Sequence, residues 1–326
     1  MKKVLYALLL SVLAASCGGT KKAQDAGEQK ANPVAVTFNA DSAYTFCEQQ
    51  CQFGPRVMNS EAHELCGQWI ARKFRSYGLE VVEQKATLRG YDGTPLQSTN
   101  IIASYKPGVA PRLLVCAHWD SRPWADNDPD EANHRKPVMA ANDGASGVAV
   151  MLEAARLLPD SLGVGIDFVC FDAEDWGIPQ WADAEDPGDT WALGAQHWAA
   201  NPHCDPNTIR FGILLDMVGG QQARFYREGY SMQRAKKVVD KVWKAADVAG
   251  YSSYFLQEEC GWVTDDHVPV NDVAGIPCID IINHYPACEQ SSFGPTWHTI
   301  HDDMEHIDRQ TLKAVGQTLL QVLFTE

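Results

Sequence analysis

The chain has 326 residues, 45% hydrophobic and 21% charged, enough to bury a core as one large or two small domains. Its net charge of −15 argues against nucleic-acid binding, which needs clustered Lys and Arg to meet phosphate. An acidic surface can favour cationic peptides, although most such surfaces simply keep a protein in solution.

Met1-Lys2-Lys3 is a short basic region, Val4 to Leu13 an apolar one, and Ala14-Ala15-Ser16 leads into Cys17. The apolar run is too short for a membrane span. The pattern resembles a bacterial lipoprotein signal. That implies a signal peptide over 1–17, lipidation of Cys17, and an exported, membrane-anchored protein facing the periplasm or cell envelope. Residues 18–36, polar and rich in Gly, Lys, Ala and Gln, read as a flexible tether, leaving 37–326 as one catalytic domain. Nine cysteines remain after Cys17, so at least one thiol of a monomer is unpaired. Cys116 and Cys170 lie inside apolar runs and read as core thiols. Cys47 and Cys51 are four apart on an expected helix, but no second Cys pair follows, which disfavours a zinc finger.

In chain order, 41–54 reads as a short helix. Asn59 or Ser60 can cap a second, with Ala62, Cys66, Trp69, Ile70 and Phe74 on its apolar face and Gly78 at its end. Residues 79–88 and 98–105 read as strands joined across Asp92-Gly93, and 113–118 as a more buried strand. A long loop follows over 119–142, then a helix over 145–158 and an apolar strand over 166–171. The loop 178–189 carries Trp181 and several acids. Helix 190–200, strand 211–218, an edge strand near 224–228, helix 232–249, strand 253–257, loop 258–272, strand 278–282, loop 283–303 and helix 308–324 complete the reading. Strands alternate with helices from residue 100 onward. That predicts a three-layer α/β fold with a mixed, mostly parallel central sheet flanked by helices, antiparallel at its early edge.

In such sheets, sites form at the carboxyl ends of strands. The expected strand 113–118 delivers His118, with Asp120 two residues on and able to orient the imidazole. Asp143 opens the helix at 145. Glu174 and Asp175 follow the strand that ends at Phe171, and consecutive extended residues point opposite ways, so one acid can hold a metal while the other moves a proton. Asp216 lies within an apolar strand, where a carboxylate needs a partner. His298 sits in the last long loop. Singly, Asp143 would be a helix cap and each histidine structural. Gathered at one end of one sheet, carboxylates and imidazoles without thiolate suit zinc or another transition metal in an open catalytic site. His63, His134, His197, His203, His284, His301 and His306 lack such placement. Neither a phosphate loop nor a G-x-S-x-G elbow is present.

His118-Trp119-Asp120, Asn142-Asp143-Gly144-Ala145-Ser146-Gly147, Glu174-Asp175, Leu215-Asp216 and Trp297-His298-Thr299 together resemble, in order, the motif series of the M28 zinc aminopeptidase fold. Four features resemble its glutaminyl cyclase branch of animal type. These are Trp297 directly before His298, the segment Thr264-Asp265-Asp266-His267-Val268-Pro269, the strand Thr99-Asn100-Ile101-Ile102-Ala103, and Trp181 shortly after the acid pair. Asp280 departs from that branch, standing where the animal enzymes carry a histidine. The resemblance implies one Zn²⁺ held by Asp143, Asp175 and His298, and conversion of an N-terminal Gln of peptides or proteins to pyroglutamate with release of ammonia. Glu174 would carry the proton, with Asp216 and Asp265 raising its pKa. Trp181 and Trp297 would wall the pocket, with Asp280 nearby. In the alternative, a di-zinc aminopeptidase, His118 and Asp216 hold a second metal, Asp143 bridges, and Glu174 activates water. A silent peptide-binding lipoprotein is the third reading.

Overall fold

The run of seven fully buried residues in β3 (Arg112–His118) and again in β4 (Gly165–Phe171) requires cover on both faces of a sheet, as parallel strands have. The computed structural model describes residues 32–182 and 189–326. The expected signal peptide, Cys17, most of the tether and the acids at 183–188 lie outside the described residues. Pro33–Glu326 forms one compact unit.

The central sheet has the order β1-β2-β4-β3-β5-β8. Its other strands are β1 (Glu80–Arg89), β2 (Pro95–Tyr105), β5 (Ile209–Asp216) and β8 (Cys278–Ile282). β1 pairs antiparallel with β2, and β2 with β4; the remaining pairs β4/β3, β3/β5 and β5/β8 are parallel. The mixed sheet with an antiparallel edge is therefore as the sequence predicts.

Period-two alternation sends successive side chains to opposite faces. Leu113, Val115 and Ala117 enter a core shared with α1 (Ala40–Cys51), α2 (Glu61–Ser76), α3 (Ala145–Arg156), α5 (Gly229–Ala249) and α7 (Arg309–Leu323). Leu114 and Cys116 face the other layer, which includes residues of α4 (Leu193–Ala200) and α6 (His267–Asp272). Two short strands, β6 (Phe225–Arg227) and β7 (Phe255–Glu259), pair parallel in a separate sheet. Thus 224–228 supplies a strand, but not an edge of the main sheet. Helix α6 occupies a stretch read as loop, and α4 begins at Leu193 rather than Thr190 because Ala192 takes a left-handed φ of 54°. Ser60 caps α2 by accepting from His63 N at 3.1 Å. All nine described cysteines are free thiols, with Cys116 and Cys170 buried. Among the described residues no helix is long and apolar enough to cross a membrane.

Helix α3 lies so close to the sheet that a Cβ on Gly147 would stand 2.2 Å from Leu215 O and 2.8 Å from Ala117 Cβ. This contact sets the start of α3, and hence Asp143, against the ends of β3 and β5.

Candidate active site

The turns leaving the strands point three groups of side chains at one another. Ala173, Met217 and His298 have φ of 54°, 46° and 53°, a region L-residues seldom adopt. Each is itself a site residue or the chain neighbour of one. Asp120 then fixes the acid pair: its carboxylate accepts from Glu174 N at 3.0 Å and Asp175 N at 3.2 Å. Asp302 fixes Asp143 from behind, accepting from Asn142 N at 2.8 Å and Asp143 N at 3.0 Å.

His298 Nε2 lies 3.3 Å from Asp175 Oδ1 and 3.6 Å from Asp143 Oδ2. The ligand atoms of Asp143, Asp175 and His298 all fall within 4.8 Å of one another, and all three residues are buried. Asp175 Oδ2 is buried with no hydrogen-bond partner, an arrangement costly without a cation. On its far side, His298 Nδ1 is 3.4 Å from Asp126 Oδ1, the carboxylate–histidine pairing that orients a metal ligand. Carboxylates and an imidazole suit zinc, so this triad fits it.

A second group shares Asp143. His118 Nε2 stands 2.9 Å from Asp143 Oδ1 and 3.3 Å from Asp216 Oδ1, and its Nδ1 is 3.6 Å from Asp120 Oδ1. Although burial opposes protonation, Asp120, Asp143 and Asp216 hold His118 well above its ordinary value. A proton or a second cation could each satisfy this group.

Glu174 and Asp216 line a cavity of about 250 Å³ together with Asp143, His298, Trp191, Trp297, Trp262, Val263, Thr264, Asp265 and Phe293. Burial first, and then the charges of Asp175, Asp265 and Asp266, push the Glu174 carboxyl well above its usual range, with His118 opposing. Burial and the neighbouring Asp216 raise Asp265 to about 7. A larger groove of about 780 Å³ lies between α2 and the β1–β2 edge. None of the expected site residues lines it, whereas Asp143, Glu174, Asp216, Asp265, Trp297 and His298 line the smaller cavity.

The structure thus gathers His118, Asp120, Asp143, Glu174, Asp175, Asp216, Asp265 and His298. Trp297 lines the cavity and stacks on His298, with ring centroids 3.7 Å apart. Trp181 does not line it: its ring meets Trp124 at 5.9 Å and His134 at 6.3 Å. The other tryptophans that line the cavity are Trp262 and Trp191, the latter nearly parallel to His298 at 6.1 Å. Asp280 lies in β8, buried, with both carboxylate oxygens lacking a hydrogen-bond partner. Its ligand atom falls within 4.8 Å of those of Asp265 and His267.

Four further residues support the site without having been singled out in sequence. Arg122 grips Asp126 at 2.6 Å and reaches Asp175 Oδ1 at 3.2 Å. Asp302 closes the loop behind Asp143, and Trp191 forms part of the wall. Arg122 and Asp126 had a legible signal, an Arg four residues before an acid just after His118-Trp119-Asp120. Of the histidines set aside, His63 pairs with Asp172 at 2.8 Å and His203 with Asp167 at 3.2 Å.

Comparison with known proteins gives the same picture. The chain is 50% identical to the Bacteroides thetaiotaomicron glutaminyl cyclase bound to N-acetylhistamine, over 89% of this chain and 99% of that one, with a TM-score of 0.87. It is 28% identical to Bacillus subtilis aminopeptidase YwaD, over 74% of this chain and 48% of the relative. It is 26% identical to the glutaminyl-peptide cyclotransferase of Boiga irregularis, over 70% and 65% respectively. The chain therefore spans between about half and two-thirds of the length of these two curated relatives. The sequence model of peptidase family M28 matches residues 100–323, which include every residue of the motif series above, and the chain belongs to that family.

Proposed function

We propose that this protein is a zinc-dependent glutaminyl cyclase, converting the N-terminal Gln of peptides or proteins to pyroglutamate with release of ammonia. The likeness to a bacterial glutaminyl cyclase at 50% identity over nearly the whole of that chain carries the reading. Asp143, Asp175 and His298 would hold one zinc ion, which when bound supplies a Lewis acid for the glutamine γ-carbonyl. Glu174 accepts a proton from the substrate α-amine as that nitrogen attacks, and returns it to the departing ammonia. Its raised pKa suits this role, because an ordinary carboxylate at about 4.3 is a weak base toward an amine near 8. Trp191 and Trp297 pack the short aliphatic stem of the glutamine and keep water from the amine's place.

The di-zinc aminopeptidase is the second reading, favoured by the His118–Asp143–Asp216 group. Elemental analysis of zinc-dialysed protein tests the count. We expect one zinc per chain, retained in Glu174→Gln while turnover falls about 10²–10⁴-fold. Two ions per chain would favour the peptidase, and unchanged turnover in that variant would remove Glu174 from the proton role.

We further propose export as a lipoprotein anchored through Cys17 to a membrane of the cell envelope. The basic, apolar and small-residue order of residues 1–17 supports this. Labelled fatty acid should enter the wild-type protein but not Cys17→Ser; equal labelling would contradict it.

A further inference from the structure

Glu228 is completely buried and plays no part in the chemistry above. It precedes α5 and gathers four hydrogen bonds. Its Oε1 accepts from Tyr230 N at 2.8 Å and Val263 N at 2.9 Å. Its Oε2 accepts from Ser231 N at 2.7 Å and Ser231 Oγ at 2.8 Å. His267 Nε2 stands 3.2 Å from the same Oε2. So many donors favour the ionised form. Burial opposes it, but His267 and the donors of Ser231 and Tyr230 bring Glu228 down to about 2.

These partners belong to separate pieces of the site. Val263 lines the cavity between Trp262 and Thr264. The Ser231 hydroxyl accepts from Asp280 N at 2.9 Å, which ties Glu228 to β8. His267 opens α6, two residues after Asp265. The side chains of Asp265, Asp266 and Asp280 are buried. Among the described residues no ion pair joins them to Lys or Arg. Buried carboxyls without such a partner must share protons or lean on a nearby cation. His267 lies between Glu228 Oε2, at 3.2 Å, and the Asp265–Asp280 pair with which it is gathered.

We propose that Glu228 is a positioning residue: through His267 and the Val263 amide it fixes where Asp265 stands beside Asp216 and Glu174, and so sets the rate of proton transfer without touching substrate. The inference rests on the proton role of Glu174 proposed above. A carboxylate at this position has no motif to betray it, and its effect is carried by the segment 262–267.

The test is steady-state turnover of a Gln-initiated peptide by wild type, Glu228→Gln, His267→Ala, His267→Gln and the Glu228→Gln/His267→Ala double variant, with thermal melting of each. We expect kcat to fall about tenfold or more in Glu228→Gln and His267→Ala, with KM within about twofold. The double variant should be no worse than the weaker single, because the two residues act as one unit. His267→Gln, which keeps an N–H donor at the reach of Nε2, should recover most of the loss. A lowered melting temperature with unchanged kcat would overturn the proposal, as would a rise in KM alone. If wild type instead frees Leu from a Leu-initiated peptide, the cyclase reading fails by itself. The same variants are then compared in that hydrolysis, where Glu174 still moves the proton and the same loss of kcat is expected. Wild type inert toward both peptides would overturn both readings.

Discussion

Glu174 and Asp175 are chain neighbours with the same chemistry, and their surroundings separate them. Asp175 accepts from Arg122 through Oδ1 and leaves its buried Oδ2 without a partner beside His298, an arrangement that suits a ligand. Glu174 faces the charges of Asp265 and Asp266, which suit a proton carrier. A cation bound at Asp143, Asp175 and His298 would pull the Glu174 pKa down, since it opposes the burial and the carboxylates that raise it. Placing the proton role on Glu174 therefore predicts that the Glu174→Gln loss described above is a loss of kcat rather than of metal. The same paragraph of sequence shows what residue-level reading can reach. Four of the five motifs could be found because each pairs a metal-ligand or proton-carrying residue type with a strand end or helix start; Trp297-His298-Thr299 lies in a long loop and was found through its place in the motif order. Trp191 could not, because the loop before it gives no register, and Trp181 looked equally well placed. Glu228 and Asp302 act by accepting backbone amides, and an acid that accepts an amide looks like any other acid in a polar stretch.

Among the elements, one clasp holds the antiparallel edge to the parallel part of the sheet. Asp167 of β4 takes Arg112 of β3 at 2.6 Å, Ser104 of β2 at 2.5 Å, and His203 beyond α4 at 3.2 Å. Despite burial, His203 and Arg112 bring Asp167 down to about 2, and Asp167 brings His203 up to about 9 against its own burial. The signs follow by linkage. The His203 contribution is fully present below its ordinary 6.5 and fades as pH rises through about 9. The Asp167 contribution is present above its ordinary 3.8 and fades as pH falls through about 2. His203→Ala should therefore cost on the order of 2 kcal/mol near pH 6 and clearly less near pH 10. Melting curves of both proteins at the two pH values check this; an equal cost at both would show that His203 acts by packing alone. Element boundaries were legible where one force dominates. β8 is read at its observed bounds because an apolar run lies between Pro277 and the polar loop. α6 was not, because six residues containing Pro269 show no helical period and form only because Val270 packs into the layer beside α4.

For the whole molecule, the mixed sheet brings the ends of β3, β4 and β5 side by side, and the loops after them converge on one cavity of about 250 Å³. The alternation of strands and helices made this arrangement predictable, because parallel neighbours place their carboxyl ends together. The scaffold itself serves either of two reactions, as relatives named for a cyclase and for an aminopeptidase illustrate. What distinguishes them is the nucleophile: the substrate's own amine, or water prepared by Glu174. Product analysis reads that difference directly. Purified protein is given equal amounts of a Gln-initiated peptide and a Leu-initiated peptide of the same length, and ammonia and free amino acid are followed together. The account predicts ammonia from the Gln peptide, a product peptide lighter by that ammonia, and no free Leu; free Leu without ammonia would contradict it.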